Sequence, residues 1–101
     1  MAESLIEIEY HDRYLKWLNG LTDGMAKALI NARLYRIEND GHFGDQKFIG
    51  GGVWELRIRC GPGYRLYYTR QGNRVVLLLC GGEKSTQAGD IKLAKQLAKE
   101  A

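Results

Sequence analysis

The stretch from Val53 to Lys84 constrains this chain most, because it reads as three successive strands, Val53 to Cys60, Tyr64 to Arg70 and Arg74 to Cys80, joined by two glycine turns. In the first of them Trp54, Leu56, Ile58 and Cys60 alternate with Val53, Glu55, Arg57 and Arg59, the period of two of a half-buried strand. One face is apolar and the other is charged. Gly61-Pro62-Gly63 supplies a preset φ at proline and tolerance of positive φ at glycine, so a tight turn is expected there. Keeping apolar opposite apolar requires a loop of odd length. With Gly61, Pro62 and Gly63 in the loop, Ile58 faces Leu66 and Leu56 faces Tyr68, while Arg59 faces Arg65, Arg57 faces Tyr67 and Glu55 faces Thr69. A slip of one residue would mix the faces. The charged face then holds Glu55 with Arg57, Arg59 and Arg65. Like charges directly opposite one another destabilise a sheet, so an anion is a natural missing partner. The plainer alternative is a solvated face on which Glu55 pairs one arginine.

At 101 residues the chain is read as one domain spanning 1–101, large enough to bury roughly 60 to 70% of its unfolded surface without disulfides. Its two cysteines, Cys60 and Cys80, fall on opposite faces by alternation and are expected to be free thiols in a reducing cytoplasm, neither of them catalytic. No basic segment followed by an apolar run opens the chain, and no stretch approaches about 18 uninterrupted apolar residues, so neither export nor a membrane is expected. The net charge is only +3, but from Val53 to Lys84 six basic residues stand against two acidic ones. The first 44 residues hold five basic and seven acidic. A basic stripe confined to one element suits a polyanion, and it also suits an ordinary soluble surface.

Residues Leu5 to Tyr10 alternate as a strand would, with Ile6, Ile8 and Tyr10 on one face. Asp12 is a candidate cap for a helix whose Tyr14, Trp17, Leu18 and Leu21 form a core-facing stripe, stopped at Asn19-Gly20. Thr22 or Asp23 caps a second helix to about Asn39, with Ala26, Leu29, Ile30, Leu34 and Ile37 inward and Lys27, Arg33 and Arg36 outward. The two should form a helical hairpin. A loop then leads through Gln46 to Ile49 into Gly50-Gly51-Gly52, which lacks the strand-turn-helix setting of a phosphate loop and reads as a flexible entry to the next strand. Val75 to Leu79 is continuously apolar, as in a strand covered on both faces, and a last helix from Thr86 or Asp90 turns Ile91, Ala94, Leu97 and Ala98 to one side. His11 and His42 read as solvated or core-edge residues.

The segments Gly44-Asp45-Gln46-Lys47, Glu55-Leu56-Arg57-Ile58, Gly61 to Tyr68 and Leu78 to Gln87 together resemble the addiction-module killer proteins, the HigB-like branch of the RelE/ParE superfamily of toxin-antitoxin toxins. The resemblance covers nearly the whole chain and implies an α+β fold ordered strand, helix, helix, three-strand antiparallel meander, helix. It further implies a metal-independent, cofactor-free mRNA endoribonuclease acting on the translating ribosome and neutralised by a cognate antitoxin, expected to be a helix-turn-helix protein. Such chemistry needs a base for a ribose 2′-hydroxyl, cations for the phosphorane and an acid for the leaving 5′-oxygen. Glu55, as the carboxylate of the charged face, is the candidate base. Arg65 matches the arginine that follows tyrosine in the superfamily and would stabilise the phosphorane through bidentate geometry. Lys84 matches the basic residue ending the last strand, while Arg57, Arg59 and Lys47 would hold flanking RNA. Where many relatives carry a histidine or tyrosine, Ser85, Thr86 and Gln87 stand here, so the acid stays open. Two other readings compete: a non-catalytic, ParE-like toxin that binds DNA gyrase, and a plain nucleic-acid-binding domain.

Overall fold

The computed structural model describes residues 6–101, so Leu5 of the expected opening strand lies outside the described residues. Five strands, β1 (Glu7–Tyr10), β2 (Gln46–Gly50), β3 (Val53–Ile58), β4 (Tyr64–Gln71) and β5 (Val75–Glu83), make one sheet in the order β1-β5-β4-β3-β2. Three helices, α1 (Asp12–Gly20), α2 (Gly24–Asp40) and α3 (Gln87–Glu100), cover it, and a short 3-10 turn, Lys84–Thr86, leads into α3. The meander β3-β4-β5 is antiparallel as expected, and β1 adds to its far side parallel to β5. The α+β class is therefore as read from the sequence.

Each face of the sheet has its own core. On one, α1 and α2 bring Tyr14, Ile30, Leu34 and Ile37 against Leu56, Ile58, Leu66, Tyr68, Val76 and Leu78. On the other, α3 lays Ala94 and Leu97 over Val53, Tyr67, Leu79 and Cys80. The continuous apolar run of β5 is explained by this double covering, and the register shift at Tyr67/Tyr68 lets the successive residues Leu79 and Cys80 both join the α3 side. Cys60 packs with the first core and Cys80 with the second, and both are free. Burial, reinforced by the Asp90 charge, pushes the Cys80 thiol up to about 12, which leaves it an inert packing group.

Four expectations are corrected. Gln46 to Ile49, read as leading out of a loop, is part of edge strand β2, and Gly50-Gly51-Gly52, expected to be a flexible entry, has φ of 90°, 61° and 74° and makes the turn that returns β2 antiparallel along β3. The cap of α1 is His11, whose Nδ1 accepts from the Arg13 N–H at 3.0 Å, rather than Asp12, which is already helical. Asp23 does cap α2, accepting from the Ala26 N–H at 3.0 Å. Leu29, expected inward, is 43% exposed, and Arg33 does not face outward. Third, then, its guanidinium turns to the sheet and donates to the carbonyls of Phe43 at 3.2 Å and Arg57 at 3.0 Å.

The fourth correction is the register of β3 on β4. Leu56 pairs Leu66, Arg57 pairs Arg65 and Glu55 pairs Tyr67, two residues away from the expected register. Parity survives because the loop is still odd in length, now five residues from Arg59 to Gly63. The strand stops early because the Cys60 N–H turns back to the Ile58 carbonyl, the Gly63 N–H to that of Cys60, and Arg59 leaves the ladder for an ion pair with Asp45.

Two adjacent glycines in β5 allow helices to sit close on both faces. A Cβ at Gly81 would strike the Trp17 indole of α1, and one at Gly82 would strike the Asp90 carboxylate of α3. Because the indole packs against the first core, Gly81→Ala should lower the unfolding free energy by about 1 to 3 kcal/mol, the usual cost of overfilling a packed site. Urea denaturation followed by tryptophan fluorescence reads this directly.

Candidate functional site: a buried carboxylate under paired arginines

The β3–β4 register sets Arg57 directly opposite Arg65, and cross-strand partners share a face. Two guanidiniums so placed repel unless an anion lies between them. Glu55, two residues before Arg57 and hence on the same face, supplies it. Its Oε1 accepts from Arg57 Nε at 3.0 Å and from Arg65 Nη1 at 3.2 Å. Its Oε2 accepts from the Gln87 side-chain amide at 2.7 Å. The carboxylate is fully buried, the Arg65 side chain is 13% exposed and that of Arg57 is 33% exposed.

Burial is the largest single influence on Glu55 and acts to raise its pKa, but the hydrogen bonds from Arg57 and Gln87 and the charges of Arg65 and Arg57 together outweigh it, so the value falls below the ordinary carboxylate value. Glu55 is ionised at neutral pH with both oxygens engaged. Beside it Tyr67 is buried, and its hydroxyl, like Arg65 Nε, has no hydrogen-bond partner among the described residues. Burial, then the Glu55 charge, raises the Tyr67 pKa, which keeps that hydroxyl neutral.

Gln87 reaches Glu55 because α3 begins close to the sheet. Thr86 Oγ1 bonds Asp90 Oδ2 at 2.5 Å and accepts from the Glu83 N–H at 3.2 Å, and the missing side chain at Gly82 leaves room for Asp90. The sheet face is thus divided along its length. Its apolar part lies under Ala94 and Leu97, and its charged part lies at the amino-terminal end of the same helix.

Of the residues expected to act together, Glu55, Arg57 and Arg65 do meet. Lys47 stands opposite Glu55 on β2, exposed at the sheet edge on the same face. Arg59 is apart from the group: its side chain is 82% exposed and pairs Asp45 at 3.0 Å. The Lys84 N–H donates to the Gly63 carbonyl at 2.9 Å, tying the end of β5 to the β3–β4 loop, but its side chain is exposed and makes no hydrogen bond or ion pair among the described residues. His42 is exposed and His11 is a helix cap. Two contacts went unread in the sequence, that of Gln87, noted there only as standing where many relatives carry a histidine or tyrosine, and that of Arg33. Gln87 gives no signal until α3 is docked, whereas Arg33 does give one, since Ile30, Arg33, Leu34 and Ile37 fall at i, i+3, i+4 and i+7 and so share the sheet-facing stripe of α2.

Comparison with known proteins bears on family and fold. A family model described as phage-derived protein, Gp49-like, matches residues 16–100. A Haemophilus influenzae protein described as uncharacterized is 50% identical over 95 residues, covering 94% of this chain and 95% of that protein. Among solved structures, a double mutant of the Escherichia coli toxin RelE in the free state superposes with a TM-score of 0.70 at 18% identity, covering 93% of this chain and 96% of that one. The intact E. coli RelBE toxin-antitoxin complex matches with a TM-score of 0.63 at 20% identity, over 77% of this chain and 95% of that one. These structural likenesses establish a RelE fold.

Replacing Glu55 with glutamine keeps its shape but leaves two adjacent guanidiniums without their counter-charge. Breaking a buried pair from one side costs about 3 kcal/mol or more, so Glu55→Gln should be destabilised by that order at pH 7. Because the folded-state pKa is lowered, the contribution is complete above the ordinary carboxylate value and fades as pH falls through the folded value. Urea midpoints from pH 7 down into the acid range should therefore show wild type and Glu55→Gln converging; a constant gap would mean that the charge of Glu55 is not what the arginines require.

Proposed function

The chain belongs to the Gp49-like family of phage-derived proteins, and from that premise, its RelE fold and its paired arginines, we propose that it is the toxin of a toxin-antitoxin module and an RNA endonuclease. The observation that carries the reading is the Arg57–Arg65 rung, two guanidiniums held side by side over a buried carboxylate. That arrangement offers a phosphodiester two forked donors, the geometry phosphate recognition favours.

In the reaction, Arg65 and Arg57 take the scissile phosphate and stabilise the charge that builds on the phosphorane. As the phosphate draws guanidinium hydrogen bonds to itself, Glu55 loses partners that hold its pKa down while burial continues to push it up, so it becomes a stronger base when substrate is present. It then accepts the 2′-hydroxyl proton; the 2′-oxygen bonds to phosphorus, the bond to the 5′-oxygen breaks, and a 2′,3′-cyclic phosphate forms. Lys84, exposed beside the β3–β4 loop, is the candidate proton donor to the leaving oxygen. Arg59 and Lys47 extend the cationic surface for flanking nucleotides, and mRNA on the translating ribosome is the proposed substrate in the cytoplasm. A cognate antitoxin, proposed to be a helix-turn-helix protein, is the partner that restrains it; the likeness to the RelBE complex supports this.

The full engagement of both Glu55 oxygens also suits the two readings in which nothing is cut, a phosphate-gripping nucleic-acid-binding domain and a gyrase-binding toxin. Pulse labelling separates them. Expression of the chain alone should stop protein synthesis first, whereas early loss of DNA synthesis would establish the gyrase-binding alternative.

Cleavage of mRNA on programmed ribosomes, measured in single turnover, tests the individual roles. Arg65→Ala should lower the rate about a hundred- to thousandfold, as removal of one preorganised charge-stabilising donor does. Glu55→Gln, assayed where circular dichroism shows it folded, should lose about a hundred- to ten-thousandfold while retaining RNA binding. A wild-type rate in Glu55→Gln would reduce the carboxylate to a support for the arginines, leave the base to be sought elsewhere and make Lys84 the next residue to test.

A further inference from the structure

We propose that the pocket between α2 and the end of β3 is a nucleotide subsite, holding a base and phosphate of single-stranded RNA next to the phosphate gripped by Arg57 and Arg65. This rests on the nucleic-acid reading above and adds to it a surface drawn from a different element. The pocket measures about 310 Å³ and is lined by Leu29, Ala32, Arg33, Arg36, Ile58 and Arg59. A second, of about 160 Å³, is lined by Arg57, Ile58, Arg59, Gly63, Tyr64 and Arg65. They share Ile58 and Arg59, so one basic groove runs from the paired arginines round the end of β3 to the exposed side of α2.

The lining has the two chemistries that an unpaired nucleotide asks for. Leu29, 43% exposed, and the edge of Ile58 give an apolar wall. Arg36 and Arg59 give exposed guanidiniums that can stack on a base or bond a phosphate, the two common ways in which arginine meets single-stranded RNA. The Arg36 side chain makes no hydrogen bond or ion pair among the described residues, and that of Arg59 has only its exposed pair with Asp45. Arg33 is different in kind. Its bond to the Arg57 carbonyl ties α2 to the strand that carries Arg57, and its bond to the Phe43 carbonyl holds the loop that follows α2, so its guanidinium is already engaged in joining the groove's two sides. A volume of this size lies at the low end for small-molecule sites and suits one nucleotide.

The test measures binding of two uncleavable probes, a 2′-O-methyl hexaribonucleotide and a 2′-O-methyl dinucleotide, by fluorescence anisotropy over a range of salt. Arg36→Gln and Leu29→Ser change exposed positions on α2 and leave Glu55, Arg57 and Arg65 intact. Arg36→Gln should weaken the hexamer about tenfold, the loss expected for one hydrogen bond to a charged group, and should lower the slope of log affinity against log salt by about 0.7. Leu29→Ser should weaken the hexamer about fivefold through lost base contact and leave that slope unchanged. Arg36→Gln should leave the dinucleotide, whose single phosphate the paired arginines take, unaltered. If wild type binds the hexamer and both variants match it, the subsite is overturned while the RNA reading stands. Equal weakening of both probes by Arg36→Gln would overturn it as well, since that marks a general field and not a site. Unchanged RNA affinity with weakened antitoxin affinity would assign the groove to the antitoxin instead, and a wild type that binds neither probe would remove the nucleic-acid reading itself.

Discussion

A carboxylate with no solvent exposure, bonded to two guanidiniums and an amide, is the interaction on which the charged half of the molecule depends. Removing an ion from water costs several kcal/mol even after relaxation, so Glu55 must recover that from partners of good geometry. The partners depend on it in turn. Arg57 and Arg65 stand on directly opposed positions of neighbouring strands, an arrangement that repulsion would disfavour without an anion between them. Each member makes the others possible, and the rung offers two cations on one small area that no solvated arginine pair would hold in place.

The third partner ties the cluster to the covering helix. α3 uses Ala94 and Leu97 to bury the apolar part of the face, and its first residue, Gln87, ends on Glu55 Oε2. Packing and electrostatics are thereby coupled in one element. Gly82 enables this, because any side chain there would meet Asp90 and hold the start of the helix off the sheet. The same logic works on the opposite face at Gly81, where the closeness of Trp17 fixes α1. Two neighbouring glycines at the end of β5 thus set the depth of the helical layers on both sides.

Much of this was legible in the sequence, and the failures share a cause. Period-two alternation in Val53 to Ile58 correctly assigned the faces, and the unbroken apolar run at Val75 to Leu79 correctly called for cover on both. Alternation fixes parity, however, and parity is blind to a shift of two. Arg59 against Arg65 and Arg57 against Arg65 satisfy it equally; in the observed register Arg57 takes the place opposite Arg65, and Arg59 lies outside the ladder, paired with Asp45 14 residues away in sequence. Edge strand β2 was missed for a related reason: Gln46-Lys47-Phe48-Ile49 shows no alternation because Phe48 lies exposed against Trp54, and three glycines after it suggest mobility rather than a turn. The resemblance marked the position of Gln87 but not its contact, because nothing local shows that an amide will find its partner 32 residues earlier.

The two-residue shift changes the chemistry more than the fold. In the expected register Arg59 opposed Arg65 at the hairpin end, with Glu55 opposite Thr69 and remote from both, an open face on which a carboxylate could act as a free base. In the observed one, Glu55 lies within hydrogen-bond distance of both opposed arginines and is not free at all. A base of lowered pKa with both oxygens occupied is weak until something takes its partners away, and the group best suited to do so is one that guanidinium binds at least as well as carboxylate. A phosphodiester meets that condition. If Glu55 is the base of the proposed reaction, the resting ion pairs act as a gate: without a phosphate the carboxylate is held inert, and with one the forces that remain, burial above all, favour its protonation. Arginine rather than lysine suits such a gate, because a planar fork can keep one donor on the carboxylate while offering another to the incoming phosphate.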